Sequence, residues 1–92
     1  MSKNEVRHNE ERGWYELDAG GTTAITAYRR EGDTLAFTHT EVPEELEGHG
    51  IGSRLIAGAL ADVREKGLSI RPLCSFVRHY VDTHPDTHDL LA

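Results

Sequence analysis

What this chain lacks narrows its possibilities first. No apolar run approaches the roughly 20 residues that a membrane span requires, so no spanning helix is expected. The opening Met1-Ser2-Lys3-Asn4 is without the apolar stretch of a secretory leader, which makes the cytoplasm the expected location. A single cysteine, Cys74, allows no internal disulfide, in keeping with a reducing compartment. Basic residues are in deficit: 10 Lys and Arg against 16 Asp and Glu give a formal charge of −6. That balance argues against a nucleic-acid footprint and leaves cationic partners, amines or basic proteins, electrostatically easier. There is no Cys-x-x-Cys or His-Glu-x-x-His pattern, and the spacing of His79, His84 and His88 is interrupted by Pro85, so no metal site is expected. Internal repeats and linkers are absent too. At 92 residues the chain has room for one small domain, residues 1–92, and any ligand and its chemistry must share one cleft.

What is present falls into two halves. Residues 5–8, 14–17, 22–29 and 34–42 read as short strands, separated by Glu11-Arg12-Gly13, Ala19-Gly20-Gly21 and Glu31-Gly32-Asp33 as turn signals. Connections this short imply antiparallel neighbours. Over residues 50–66 the period becomes helical: Gly52, Leu55, Ile56, Ala59, Leu60 and Val63 share one face, and Gly67 stands where a left-handed cap is expected. Residues 69–76 then read as a fifth strand carrying Ile70, Leu73, Cys74 and Phe76, with Pro72 marking a bulge or an edge. Val77, Tyr80, Val81 and His84 follow at helical spacing, and a last turn runs through Asp89-Leu90-Leu91. Strand, helix, strand implies a parallel crossover, with a ligand crevice at the carboxyl ends of its strands.

At the head of that crossover lies Glu47-Gly48-His49-Gly50-Ile51-Gly52. Three glycines in five residues permit close backbone approach, and the first amides of a helix have no intrahelical acceptor, so the junction suits a phosphate of a nucleotide-like ligand. An ordinary strand-to-helix connection has the same composition. The flanking segments are His39-Thr40-Glu41-Val42-Pro43 before the turn and Cys74-Ser75-Phe76-Val77 after it.

These three motifs, in this order, resemble the GNAT superfamily of acetyl-CoA-dependent N-acetyltransferases, and most of all its small stand-alone YjdJ-type acetyltransferase-like group. The superfamily loop runs Gln/Arg-x-x-Gly-x-Gly/Ala; the small group combines a His-Thr-x-Val-Pro strand end, a Gly-x-Gly loop and a Cys-x-Phe/Tyr-Val segment. The likeness rests on the later part of the chain, the first strands matching in strand-and-turn pattern alone. It implies the acyl-CoA N-acyltransferase fold, an α/β (α+β) domain with a mostly antiparallel sheet and a parallel strand-helix-strand crossover at the coenzyme A site.

The resemblance also implies roles. Gly50 and Gly52 match the loop glycines, and Gly48, His49, Ile51 and Ser53 would supply amides to the pyrophosphate of coenzyme A, Ser53 with a hydroxyl in addition. Glu47 departs from the pattern, standing where the superfamily carries Gln or Arg, and a carboxylate there repels a pyrophosphate unless it points away. Arg54 and Arg78 are candidates for phosphate contact or are solvated surface arginines. The fourth and fifth strands would splay around the pantetheine arm, between Glu41, Val42 and Pro43 on one side and Leu73, Cys74 and Ser75 on the other. The Val42 amide would face the thioester carbonyl, since Pro43 has no N–H. His39 or Glu41 would take the proton of the attacking amine, unless both simply face solvent. Tyr80 would protonate the departing thiolate, or is a core residue. Cys74 offers a second route, accepting the acetyl group before passing it on with His39 as base, or is a small core side chain. The expected activity is transfer of acetyl from acetyl-CoA to an amine of unknown identity, a small molecule or a protein lysine or N-terminus. The alternative is a module that binds CoA or acyl-CoA without turnover, or mediates contacts only. Tight turns between the first strands leave the acceptor side open, shallow or completed by another chain, which makes a homodimer a further expectation.

Overall fold

The computed structural model describes residues 5–92; residues 1–4, on which the expectation of no leader rests, lie outside the described residues. Five strands form one sheet in sequential order: β1 (Arg7–Asn9), β2 (Trp14–Ala19), β3 (Thr22–Glu31), β4 (Thr34–Glu41) and β5 (Ser69–Pro72). The first three pairings are antiparallel and β4 with β5 is parallel, Leu35 opposite Ile70 and Phe37 opposite Pro72. Helix α1 (Ile51–Glu65) makes the crossover, and α2 (Ser75–Thr83) with a 3₁₀ segment (Pro85–Leu90) completes the chain. The mixed sheet-and-helix architecture expected from the sequence is therefore the one observed.

Alternation along the strands puts Tyr15, Leu17, Ala24, Leu35, Phe37 and Ile70 on one face of the sheet, all at most 1% exposed. Leu55, Ile56, Ala59, Leu60 and Val63 of α1 cover that face, joined by Val77 and Val81 of α2 in a single core. Each of the larger aliphatic chains contributes about 1.5–3 kcal/mol on burial. Helix α1 stops where the sequence indicates: Gly67 takes φ +71°, while Leu68 N bonds Val63 O at 3.1 Å and Gly67 N bonds Arg64 O at 3.1 Å, closing the last turn. A polar network ties the far end of α1 to the sheet. Tyr15 Oη donates to Asp62 Oδ2 at 2.7 Å, Lys66 Nζ donates to the same oxygen at 2.7 Å, and His8 stacks on Tyr15 with ring centroids 4.1 Å apart.

Two expectations are corrected. The first strand covers Arg7–Asn9 rather than residues 5–8, because its partners are set by the hairpin that pairs Asn9 with Trp14. The fifth strand ends at Pro72 rather than Phe76. Pro72 has no amide with which to extend a ladder, and the next two amides, Leu73 and Cys74, both donate to Phe37 O, at 3.1 and 2.9 Å. The chain then turns into α2, with Cys74 as N-cap in extended conformation. Of the apolar residues expected in that strand, Ile70 is buried while Leu73 and Phe76 are 45% and 40% exposed; Val77 and Val81, expected at helical spacing, are buried.

Candidate active site

Strand β4 carries the feature that shapes the cleft. Ala27 pairs with His39 but Tyr28 with Phe37, so Thr38 is an extra residue and β4 is bulged there. Without the bulge His39 would continue the inward set begun by Leu35 and Phe37. With it, Thr40 turns inward and bonds the fully buried Thr26 at 2.8 Å, while His39 moves to the opposite face. Beyond Phe37 the parallel pairing stops, β4 running on to Glu41 while the partner chain leaves for α2. The two carboxyl ends thus splay, and a cleft of about 650 Å³ opens beside them.

The cleft is lined by Thr40, Glu41, Val42 and Pro43 from the end of β4, by Glu47, Gly48, Gly50, Ile51, Gly52 and Ser53 from the turn, and by Thr23, Leu46 and Phe76. Gly48 and Gly50 hold φ of +83° and +74°, in the left-handed region open to glycine at little cost. Gly50 is the N-cap of α1 and supplies no side-chain acceptor. The His49 amide, expected to serve the ligand, is instead taken by Leu46 O at 3.3 Å, and Arg54 N bonds Gly50 O at 3.0 Å; among the described residues the amides of Gly48, Gly50, Ile51, Gly52 and Ser53 bond no backbone acceptor. The Val42 amide is likewise without a carbonyl partner among them. Five N–H groups without backbone partners thus face the cleft at the positive end of a 15-residue helix, an arrangement whose electrostatics favour an anion.

The remaining residues singled out from the sequence are distributed around this cleft. Cys74 borders it through Thr40, its thiol donating to Thr40 Oγ1 at 3.4 Å. His39 Nε2 lies 2.9 Å from Glu41 Oε2, which requires that nitrogen to carry the proton. Both side chains are mostly in solvent, 59% and 68% exposed, and among the described residues no hydrogen bond joins His39 to Cys74. Tyr80 lies outside the cleft, in a second cavity of about 290 Å³ with Ser53, Ser75, Phe76, His79, Thr83 and His84. Its ring stacks on His84 at 3.8 Å, and burial, reinforced by Asp86, raises its hydroxyl above the ordinary tyrosine value. Arg54 is ion-paired with Glu5 on the β1 side of α1 and lines a separate hollow with Ala57 and Ala61. His49 and Arg78 line none of these three cavities. His84 Nδ1 meets Tyr80 O at 2.7 Å and His88 Nε2 meets Val81 O at 2.9 Å, so these histidines serve the carbonyl end of α2.

Two contributors escaped the sequence reading. Thr40 sits inside the flanking motif, but only the Thr38 bulge decides that it rather than His39 turns inward. Phe76, read there as a strand residue, sits on the glycine turn itself: a Cβ on Gly52 would stand 2.2 Å from Phe76 Cζ.

A sequentially ordered sheet, splayed at its parallel pair and with free helix amides at the split, defines the acyl-CoA N-acyltransferase class. Comparison with known proteins agrees. Residues 14–90 match the GCN5-related N-acetyl-transferase family. Protein NATD1 of Xenopus tropicalis is 30% identical over 83 residues, 87% of this chain and 76% of that protein, and the Homo sapiens protein of the same name is 30% identical over 87% and 74%. The solution structure of a GCN5-like protein from Staphylococcus aureus superposes with a TM-score of 0.73 at 27% identity, covering all of this chain and 91% of the other. The chain belongs to the GCN5-related N-acetyltransferase family.

Proposed function

We propose that the protein binds acetyl-CoA in the 650 Å³ cleft and transfers the acetyl group to an amine. The observation that carries this is the set of unpartnered amides at Gly48, Gly50, Ile51, Gly52 and Ser53, opening onto the split between β4 and the start of α2. Those amides would take the pyrophosphate, Ser53 adding its hydroxyl, and the pantetheine arm would lie along Glu41, Val42 and Pro43, toward Cys74 behind Thr40. The Val42 amide would donate to the thioester oxygen as it gains charge.

Glu41 and His39 act as a pair in this scheme. Glu41 accepts Nε2–H and fixes the tautomer, which leaves His39 Nδ1 with the lone pair needed to take a proton from the attacking ammonium. Direct attack by the neutral amine forms the amide bond and breaks the thioester; the thiolate is then protonated, by Tyr80 if its hydroxyl gains access. Transfer through Cys74 competes with this: the thiolate displaces CoA thiol, and the amine displaces Cys74 in turn. One observation favours the alternative of binding without turnover. Tyr80 lines a separate cavity, and His39 is not among the residues that line the cleft. Free-thiol release from acetyl-CoA, assayed with polyamines, aminoglycosides and lysine peptides, separates the two: release dependent on an amine establishes transfer, and binding without release establishes a sensor. Intact mass with C74A tests the covalent route, an acetyl adduct that survives the change ruling it out.

A further inference from the structure

The 650 Å³ cleft and the 290 Å³ cavity share two residues, Ser53 and Phe76. Phe76 is the second residue of α2, and its ring leans across to the second residue of α1, Gly52. The ring tip takes the space where any other residue would place its Cβ, with Cζ at 2.2 Å and both Cε atoms within 3.2 Å of that position. Gly52 is not among the glycines with positive φ, so the backbone there does not demand glycine; the ring does. Phe76 thus forms a wall between the two spaces, and Tyr80, lining the smaller one, lies behind it. The wall is lightly held. The residue is 40% exposed, whereas the core residues of the same helix, Val77 and Val81, are at most 3% exposed, so the ring is not locked into the core.

We infer that Phe76 is a gate: seated on Gly52 it separates the cleft from the Tyr80 cavity, and its displacement by the coenzyme joins them into one groove along the start of α1. This rests on the cleft being the coenzyme site, and it makes Phe76 a positioning residue, one that decides whether the Tyr80 hydroxyl can reach a thiol in the cleft. A closed gate also lowers apparent affinity by the fraction of open molecules.

Two variants separate gating from simple contact. F76A removes the ring. F76Y keeps it but adds a hydroxyl at Cζ, the atom for which there is no room above Gly52, and so holds the ring off. For a gate closed in most free molecules both variants bind coenzyme A more tightly, by about 3- to 10-fold. A ring that merely contacts the coenzyme predicts the reverse for F76A and no change for F76Y. In the wild-type protein, nuclear Overhauser contacts between the Phe76 ring and Gly52 Hα should be present when free and lost at saturating coenzyme A. Persistence of those contacts while the amides of residues 48–53 shift overturns the gate and leaves the coenzyme site standing; no shift of those amides overturns both.

Discussion

Replacing Gly52 with Ala sets a local helix preference against a tertiary contact, and the outcome can be worked out from the geometry. The new Cβ would lie 2.2 Å from Phe76 Cζ, where ordinary contact begins near 3.4 Å, so the ring tip must retreat by more than an ångström. It can do so by swinging into solvent, losing part of the roughly 1.5–3 kcal/mol that full burial of a phenylalanine side chain contributes. With the residue already 40% exposed, the loss is about 1–2 kcal/mol at most. Alanine returns about 0.5–1 kcal/mol of helix propensity, less at the first turn. The expected net is a destabilisation of about 0.5–1 kcal/mol, or a fall in Tm of about 2–8 °C for a domain of this size. In an F76A background the contact is gone and only the helix preference remains, so the same substitution should change sign and stabilise by a few tenths of a kcal/mol. Urea denaturation of the four proteins in this cycle gives the coupling directly. Equal destabilisation in both backgrounds would refute the reasoning, because Gly52 would then be required by something other than the ring.

Glu47 lines the cleft beside the free amides, and at separations of about 7 Å a carboxylate opposes each phosphate charge by about 0.6 kcal/mol in a water-like dielectric. E47Q should therefore tighten coenzyme A binding about threefold or more in calorimetry, with the gain fading at high salt. His8 is held below its ordinary value of 6.5, by burial first and by Lys66 second, with Asp62 and Glu10 opposing and Arg30 adding to the effect. The unfolded chain therefore binds the extra proton between the two values: stability should rise with pH across that window, be complete above about 6.5 and be lost below the folded value. Urea midpoints followed from pH 5 to 7.5 should show this slope in the wild type and not in H8F. Asp62 keeps its carboxyl below the ordinary value, since the bonds from Lys66 and Tyr15 outweigh burial, which alone would raise it. Y15F removes one of those bonds and should cost about 1.5 kcal/mol in urea melts, while leaving coenzyme A binding at the far end of α1 unchanged.

The fold was largely legible because its signals are local. Glycine turns at 13, 20–21, 32 and 67, the period-3.6 face of α1 and the switch from hairpins to a crossover fix order and pairing without reference to distant contacts. The glycine turn and the strand end at Val42-Pro43 were legible for the same reason. What escaped depends on packing or on a single residue's register. The bulge at Thr38 exchanges His39 for Thr40, and no alternation pattern in Thr38-His39-Thr40 announces it. Residues 73–76 are a short apolar run that fits strand or helix equally, and Pro72 with the two amides captured by Phe37 O decides for helix. Arg54 has the right place in sequence for a phosphate, but Glu5 draws it to the other side of α1.

The central claim is that the free amides of Gly48, Gly50, Ile51, Gly52 and Ser53 are the coenzyme's anion site. An amide-resolved NMR titration with coenzyme A tests it most directly. The account predicts saturable shifts at Gly48, Gly50, Ile51, Gly52 and Ser53, accompanied by Val42, with Asp62, Lys66 and His8 unmoved. Absence of shifts in the glycine turn at saturating coenzyme, together with an unchanged Tm, would contradict it.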